Sequence, residues 1–570
     1  MATRRERGIR VHAPVASTVE VVTGDGARTA LRRVGPDVAG TFDAAVGDRY
    51  SLVVDGGPLL LDPHCLDVDW MDGEPVSVVR DPWARREQGA PLALAEGVGP
   101  VVYEAHVRGF HRTFAGMVER LDHIAGLGVD VIELMPVHPF DPSDNYWGYM
   151  PLVWGAVHRP FAAEPAQAAE ELADLVAAVH ERGMHVWLDV VFNHTGEGDA
   201  TLPTRTLRGL DDANAYRHRP DGSYTDDSGC GNDVDPGNGN VRRLVLEALD
   251  RLADLGIDGF RFDLASLLTR DGGGLIAQIT GWAFARGVTL IAEPWDLGAY
   301  MVGDGFPDPT WLQWNDRFRD DVRGLLRGEP GLVPAMIQRI TGSPDLFPSP
   351  LPAVAADPRS GERRSAAEAA STAGAGSSSA ATGARTSTVN FVTAHDGLTM
   401  HDLTIVTDDH FHAWDCGESL RLQQLKNYFT VLLLSAGAAM FVMGDEVGRT
   451  QGGNPNPYDV DGPVSWFDWE RAAQWGELHD FVKALLRLRR DCPPVGQRCY
   501  GVAGAPDTGY ESRSIAWATD DLYVMVNAWW EPLTFEIQEP GEWTFALATV
   551  ADVVDGPVPP RSIRILRRVP

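Results

Sequence analysis

The chain reads as an α/β protein built on a closed (β/α)8 TIM barrel, with an antiparallel β-sandwich before it and an antiparallel β domain after it. Three observations predict this. Between Val101 and about residue 490, short apolar runs ending in polar residues alternate with helical stretches, the pattern of a parallel sheet covered on both faces. Such runs reach a count of eight, which suits a closed barrel better than an open sheet. On either side, the texture becomes residue-by-residue alternation between Gly, Asp and Pro turns, as in antiparallel sheets.

Taken in order, residues 1–93 contain "STVEVVTG" and "DRYSLVVDGG" and predict a small sandwich. Barrel strands are expected at "VVYEAHV", "VDVIELMPV", "MHVWLDVVFNH", "IDGFRFDLA", "VTLIAEPW", near "WLQWND", and at "TVNFVTAHD" and "AAMFVMGDE". Helices between them include "AAEELADLVAAVHERG", closed by Gly183, and "NVRRLVLEALDRLADLG", closed by Gly256. "LHDFVKALLRLRR" is expected to end a barrel spanning 94–494. "SIAWATDDLYVMVNAWWEPLTFEI" then returns to alternation in a β domain spanning 495–570. The stretch 355–388 is Ala, Ser, Gly and Thr with few large apolar side chains, so a disordered insertion is expected there. It precedes a strand, and so would leave from the rim opposite the face where barrels build active sites.

Charge and cysteines narrow the function. Lys plus Arg total 49 against 80 Asp plus Glu, a net charge of -31. Such a field repels phosphate backbones and anionic lipid, so neither a nucleic-acid nor a membrane partner is expected, whereas a neutral ligand is compatible with it. The five cysteines are odd in number and form no C-x-x-C pair, which predicts neither a disulfide framework nor a zinc knuckle and suits a reducing cytoplasm. "MATRRERGIRV" is followed by no apolar core and cleavage site, as a secretory signal would require. "YFTVLLLSAGAAMFVMG", interrupted by Ser435 and Gly437, is short for a membrane span and reads as a helix running into a buried strand.

The acids carry the chemistry. "RFD", "AEPW" and "TAHD" place Asp263, Glu293 and Asp396 at or near the C-terminal ends of three strands, the catalytic rim of a barrel. Asp263 and Glu293 are about one βα repeat apart and belong on adjacent strands. Paired carboxylates there suit glycoside hydrolysis, one attacking or stabilising and the other delivering a proton. Period-two alternation turns Arg261 inward with Asp263, where a guanidinium keeps the carboxylate ionised. Pro294 and Trp295 give Glu293 a more apolar setting, which favours a retained proton. A lone strand-end Asp is more often a cap or an ion-pair member. Three acids with an inward arginine and two strand-end histidines are hard to explain by stability, because buried charges usually destabilise.

"DVVFNH" adds Asp189, Asn193 and His194 at another strand end, although His194 alone would suit a core position equally well. In "NYWGYMP", Tyr146 and Trp147 are either an apolar floor for a sugar ring or loop anchors.

Together, "DVVFNH" (189–194), "GFRFDLA" (259–265), "AEPW" (292–295) and "FVTAHD" (391–396) resemble the four motif regions of the alpha-amylase superfamily, glycoside hydrolase family 13. "YEAHVRGF", "NYWGYMPL", "SGCGND", "IAEPWDLGAYMVG" and "GDEVGRTQGGN" are similar to bacterial glycogen debranching enzymes and isoamylases, which cut α-1,6 branches of glycogen and related glucans. The resemblance covers about 95–490 and is weaker at the ends, where "GGPLLLDPHCLD" best matches the family's carbohydrate-binding-module-like sandwich. It implies Asp263 as nucleophile, Glu293 as general acid/base and Asp396 as transition-state stabiliser. Arg261, His194 and His395 would surround the sugar at the cleavage point, with Tyr146 stacking on it, and Asp189, Trp147 and Trp295 complete the expected substrate-binding set. An α-glucan is the expected partner, and no metal or cofactor is expected. The run "GGNPNPYDVDG" departs from the family's usual asparagine-rich stretch and is expected to edge the cleft.

Three other readings use the same residues. An α-1,4-acting hydrolase or glucanotransferase would share the acids, because linkage choice lies in loop shape. A noncatalytic glucan-binding protein would not need them. A metal-dependent hydrolase using His106, His138, His194 and Asp396 has poor ligand spacing.

Overall fold

The structure, a computed structural model, describes residues 4–90, 92–94, 97–143, 145–348, 387–550 and 555–569. Its centre is a closed barrel of eight parallel strands: Val101–Ala105, Val131–Leu134, His185–Val190, Gly259–Phe262, Thr289–Ala292, Leu312–Asn315, Thr388–Phe391 and Ala438–Val442. The last strand bonds back to the first, with Val102 opposite Met440. Nearly every strand residue is buried, which is why the strands read as continuous apolar runs.

Barrel helices include Phe114–Leu127, Ala168–His180, Gly239–Asp254, Gly274–Arg286, Asp316–Arg327, Glu418–Leu434 and Gly476–Asp491. The expected helix running into a buried strand is Glu418–Leu434 followed by Ala438–Val442.

The interior of the barrel is layered by the two-residue period. Val102 and Val131 are paired in register and lie in a floor with Trp187, Ile291, Trp314 and Met440. Gly259 makes room for the Trp187 indole, since a Cβ there would come within 2.5 Å of its Cδ1. Two residues further along the same strands stand Glu104, Glu133 and Asp189, with Arg261 in register with Asp189. Apolar floor thus gives way to charge towards the C-terminal rim.

Before the barrel, two antiparallel sheets pack as a sandwich. One pairs Arg5–His12 with Asp37–Ala44 and adds Arg32–Val34; the other orders Arg28–Ala30, Val19–Thr23, Arg49–Val54, Glu74–Val78 and Val68–Met71. Its core of Val11, Val21, Leu52 and Leu60 continues into Leu152, Val153 and Ala156 of the barrel. After the barrel, a five-stranded antiparallel sheet runs in the order Arg498–Tyr500, Ser514–Ala518, Leu522–Asn527, Ser562–Arg568 and Trp543–Ala548.

Two expectations change. The strands Ser514–Ala518 and Leu522–Asn527 are buried at every residue, because one face packs on the barrel core through Trp517 and Val524 and the other covers Ala516 and Tyr523. "PLTFEI" forms no strand, and Leu533 makes only an isolated bridge to Val558; Pro532 cannot donate to a ladder. Of the insertion expected at 355–388, the part up to 386 lies outside the described residues, whereas Thr388 opens the seventh barrel strand and its hydroxyl accepts from Asn315 Nδ2 at 2.9 Å.

Candidate active site

Arg261 is the hub of the C-terminal rim. It is 1% exposed and points its guanidinium at three carboxylates. Nη1 lies 2.6 Å from Asp189 Oδ2 and 3.2 Å from Asp263 Oδ1, and Nη2 lies 2.9 Å from Glu293 Oε2. The indole of Trp314 covers the guanidinium at 4.2 Å. A planar fork with several donors can bridge acids in this way, whereas an ammonium cannot.

Asp263 is held at both oxygens. Oδ1 faces Arg261, and Oδ2 accepts from Asn193 Nδ2 at 2.8 Å. The next residue, Leu264, has a positive φ of 39°, a left-handed turn that costs an L-residue about 1–2 kcal/mol. That turn aims the Leu264 N–H at Glu293 Oε2, 2.9 Å away. The backbone at the strand end therefore ties the two acids together. Burial raises Glu293 to about 8, with Arg261 opposing and the charges of Asp263 and Asp396 adding to the rise. At neutral pH Glu293 holds its proton. Burial likewise raises Asp189 to about 6 against the pull of Arg261.

His395 lies across the rim. Its Nδ1–H donates to Glu104 Oε1 at 2.7 Å, and its ring stacks on Tyr149 at 4.8 Å and meets Trp147 edge-on at 5.0 Å. Asp396 is exposed at the same mouth, and its charge reaches Glu293, His395 and Arg319. Trp295 is partly buried against the barrel floor and lies parallel to Tyr300.

Tyr146 is placed otherwise than expected, and His194 is tied to its neighbours. His194 is buried and uses both ring nitrogens on protein oxygens. Nε2–H donates to the Tyr149 carbonyl at 2.6 Å and Nδ1–H to Asn193 Oδ1, so it backs Asn193, which in turn holds Asp263. Burial would lower its imidazole, but Cys230, Asp263 and the Tyr149 carbonyl hold it at about 9. Tyr146 is buried against His106 at 4.1 Å, with its hydroxyl towards Gly109. The tyrosine at the carboxylates is Tyr149, which donates to Asp189 Oδ2 at 2.5 Å.

The proline-bearing loop lies beside the cleft. The Tyr458 carbonyl accepts from the Tyr146 and Trp147 N–H groups, and the Pro455 carbonyl accepts from Gly397 N–H. Among the described residues, no three His, Cys, Asp or Glu side chains gather to hold a metal ion. No described helix is long and apolar enough to cross a membrane.

The family model described as the alpha amylase catalytic domain matches residues 105–207. A glycogen operon protein GlgX homolog of Mycobacterium tuberculosis is 32% identical, over 88% of this chain and 76% of that protein. A glycogen debranching enzyme of Klebsiella pneumoniae is 31% identical, over 92% of this chain and 84% of its own. The chain belongs to the glycogen debranching group of the alpha-amylase family. The fold of this group is shared by a type I pullulanase from Bacillus subtilis solved with maltose, with a TM-score of 0.79 and 21% identity over 99% of this chain and 84% of that one.

Within this debranching-group chain, reading by residue type passed over Tyr149 and Glu104. Tyr149 stands three residues after Tyr146 in "NYWGYMP", and a loop has no period to say which ring faces the cleft. Glu104 had a usable signal, since it interrupts an apolar strand, as Arg261 does.

Proposed function

We propose that the protein hydrolyses α-1,6 branch linkages of glycogen or a related α-glucan by a retaining double displacement. Asp263 is the nucleophile, Glu293 the general acid/base and Asp396 the group that grips sugar hydroxyls in the transition state. The observation that carries this reading is the bridging of Asp263 and Glu293 by one buried guanidinium, Arg261, which holds the two acids close enough to flank one glycosidic bond.

In the first step the protonated Glu293 gives its proton to the bridging oxygen as the C1–O bond breaks. An Asp263 oxygen forms a bond to C1 from the opposite face. Asn193 and Arg261 fix the plane of the Asp263 carboxylate, so the attacking oxygen is oriented before the sugar arrives. In the second step the Glu293 carboxylate takes a proton from water, the water oxygen attacks C1, and Asp263 leaves with its electron pair. Two inversions keep the anomeric configuration. Trp147, edge-on to His395, and Trp295, beside Tyr300, supply apolar surface for the sugar rings.

The substrate is neutral and insensitive to the chain's acidity. The five cysteines are all free thiols, in keeping with a cytoplasmic setting. Sizing the products from a glycogen limit dextrin and from linear maltooligosaccharides tests the linkage. Release of short linear chains from the dextrin alone supports branch removal, and endo-cleavage or chain transfer on the linear substrate contradicts it.

A further inference from the structure

Two glutamates stand side by side inside the barrel. Glu104 and Glu133 are paired in register on the first two strands, and each is 1% exposed. Their partners differ. Glu104 Oε1 accepts from His395 Nδ1 at 2.7 Å, whereas among the described residues neither oxygen of Glu133 has a hydrogen-bond partner. Burial, reinforced by the charges of Glu104 and Asp189, raises Glu133 well above the usual carboxylate range. Of the two, Glu104 is the one hydrogen-bonded to His395.

The surroundings of His395 are fully specified. Glu104 faces it from the first strand and Glu133 lies beside Glu104 on the second. The Tyr149 ring stacks on it, and the Tyr149 hydroxyl, which donates to Asp189, lies 3.3 Å from Nδ1, farther than Glu104 Oε1. Arg261 and Asp396 act on it through their charges, and His106 senses it from the end of the first strand. Burial would lower the imidazole, but Glu104 first and then Asp396 hold it at about 9. The side chain keeps 10% exposure, and among the described residues no protein hydrogen bond to Nε2 is formed that competes with a ligand.

We propose that Glu104 is a positioning residue for the reaction. Its carboxylate anchors His395 through Nδ1–H, keeps the ring an imidazolium and so presents Nε2–H as a donor to a hydroxyl of the glucosyl unit at the cleavage point. This rests on the reading of Asp263, Glu293 and Asp396 as the reacting centre. A neutral ring anchored through the same Nδ1–H would present a lone pair at Nε2 instead. Glu104 therefore sets the polarity of one contact to the sugar, not merely the angle of a ring. Glu133 makes no hydrogen bond to His395 among the described residues and so does not orient the ring.

The same substitution at the two glutamates should give opposite results. Glu104→Gln should lower kcat/KM at neutral pH by about tenfold or more, chiefly through KM, as expected for loss of a charged donor. It should also move the alkaline limb of the kcat/KM profile below about pH 7, because the ring loses its proton near or below about 6.5 once its carboxylate is gone. Glu133→Gln, at an acid that makes no hydrogen bond to His395 among the described residues, should stay within about threefold and keep the parent profile. On a His395→Asn background, adding Glu104→Gln should cost less than about a further twofold, since the two act as one unit.

An unchanged pH profile in Glu104→Gln, equal losses at both glutamates, or additive losses in the double variant would each overturn the proposal. Should Glu104→Gln not fold, histidine NMR of the parent protein serves. The His395 signal, assigned by its loss in His395→Asn, should keep its charged-form shift to about pH 8, and a midpoint near about 6.5 would refute the anchoring. Failure of the site reading is separate: turnover retained by Asp263→Asn would reassign the nucleophile while leaving the NMR titration of His395 as it is.

Discussion

Asp189 and Arg261 stand in register on neighbouring barrel strands, with Arg261 Nη1 2.6 Å from Asp189 Oδ2. Asp189 is 1% exposed, so its part is to hold the guanidinium that in turn holds Asp263 and Glu293. A buried ion pair adds little stability by itself, yet breaking one leaves an uncompensated charge. This gives Arg261 a double signature. Arg261→Leu should destabilise the fold by about 3–5 kcal/mol, read in a thermal or urea melt. Arg261→Lys should fold but lower kcat/KM about 100-fold, because a point charge cannot bridge both acids. A lysine variant within threefold of the parent would contradict the bridging role.

The pH dependence follows from Glu293. Burial raises it to about 8, and the acid form is the active one, so kcat/KM should be level through neutral pH. Above about 8 it should fall tenfold per unit as the proton is lost. Glu293→Gln should remove the fall at about 8, leaving only the loss of the His395 proton at about 9, and lower kcat by about 10²–10⁴. A rate that rises through pH 8 in the parent enzyme would assign Glu293 the opposite protonation state.

The two tyrosines of "NYWGYMP" separate by their hydroxyls. Tyr149 OH donates to Asp189, whereas Tyr146 OH is buried and, among the described residues, without a hydrogen-bond partner. Tyr149→Phe should lower kcat/KM by about tenfold, the worth of one hydrogen bond to a charged group. Tyr146→Phe should be silent in kinetics and neutral or slightly stabilising in a melt, since it removes an unsatisfied polar atom. The reverse ranking would restore Tyr146 as the stacking residue.

The N-terminal sandwich shares its core with Leu152, Val153 and Ala156, just after Tyr149, and Asp67 pairs with Arg159 at 2.9 Å. Leu152 N–H and the Pro139 carbonyl brace the same loop. Removing residues 1–93 should therefore expose apolar surface and release Tyr149, with loss of activity and lower solubility. A truncated chain with parent-like kcat would show that the sandwich does not brace the loop.

Much of this was legible in the residues, and the reasons are specific. The barrel strands announced themselves because both faces are buried, leaving apolar runs that end where the rim begins. Asp263, Glu293 and Asp396 stood out as charges at those ends. The loops were less legible: Tyr149 and Tyr146 differ only in which way an aperiodic segment turns, and nothing in the residues placed Asn193 and the Tyr149 carbonyl on the two nitrogens of His194. The C-terminal strands hid their burial because a sheet covered on both faces can still carry small polar residues such as Ser514 and Asn527. "PLTFEI" looked like a strand by alternation alone, and Pro532 was the sign against it.

The most direct measurement of the central claim is a proton NMR time course of the first reducing ends released from a branched α-glucan, recorded before mutarotation. Asp263 and Glu293 acting together through a covalent intermediate predict the α-anomer first. The β-anomer first would mean a single displacement, and would contradict the assignment of Asp263 as nucleophile.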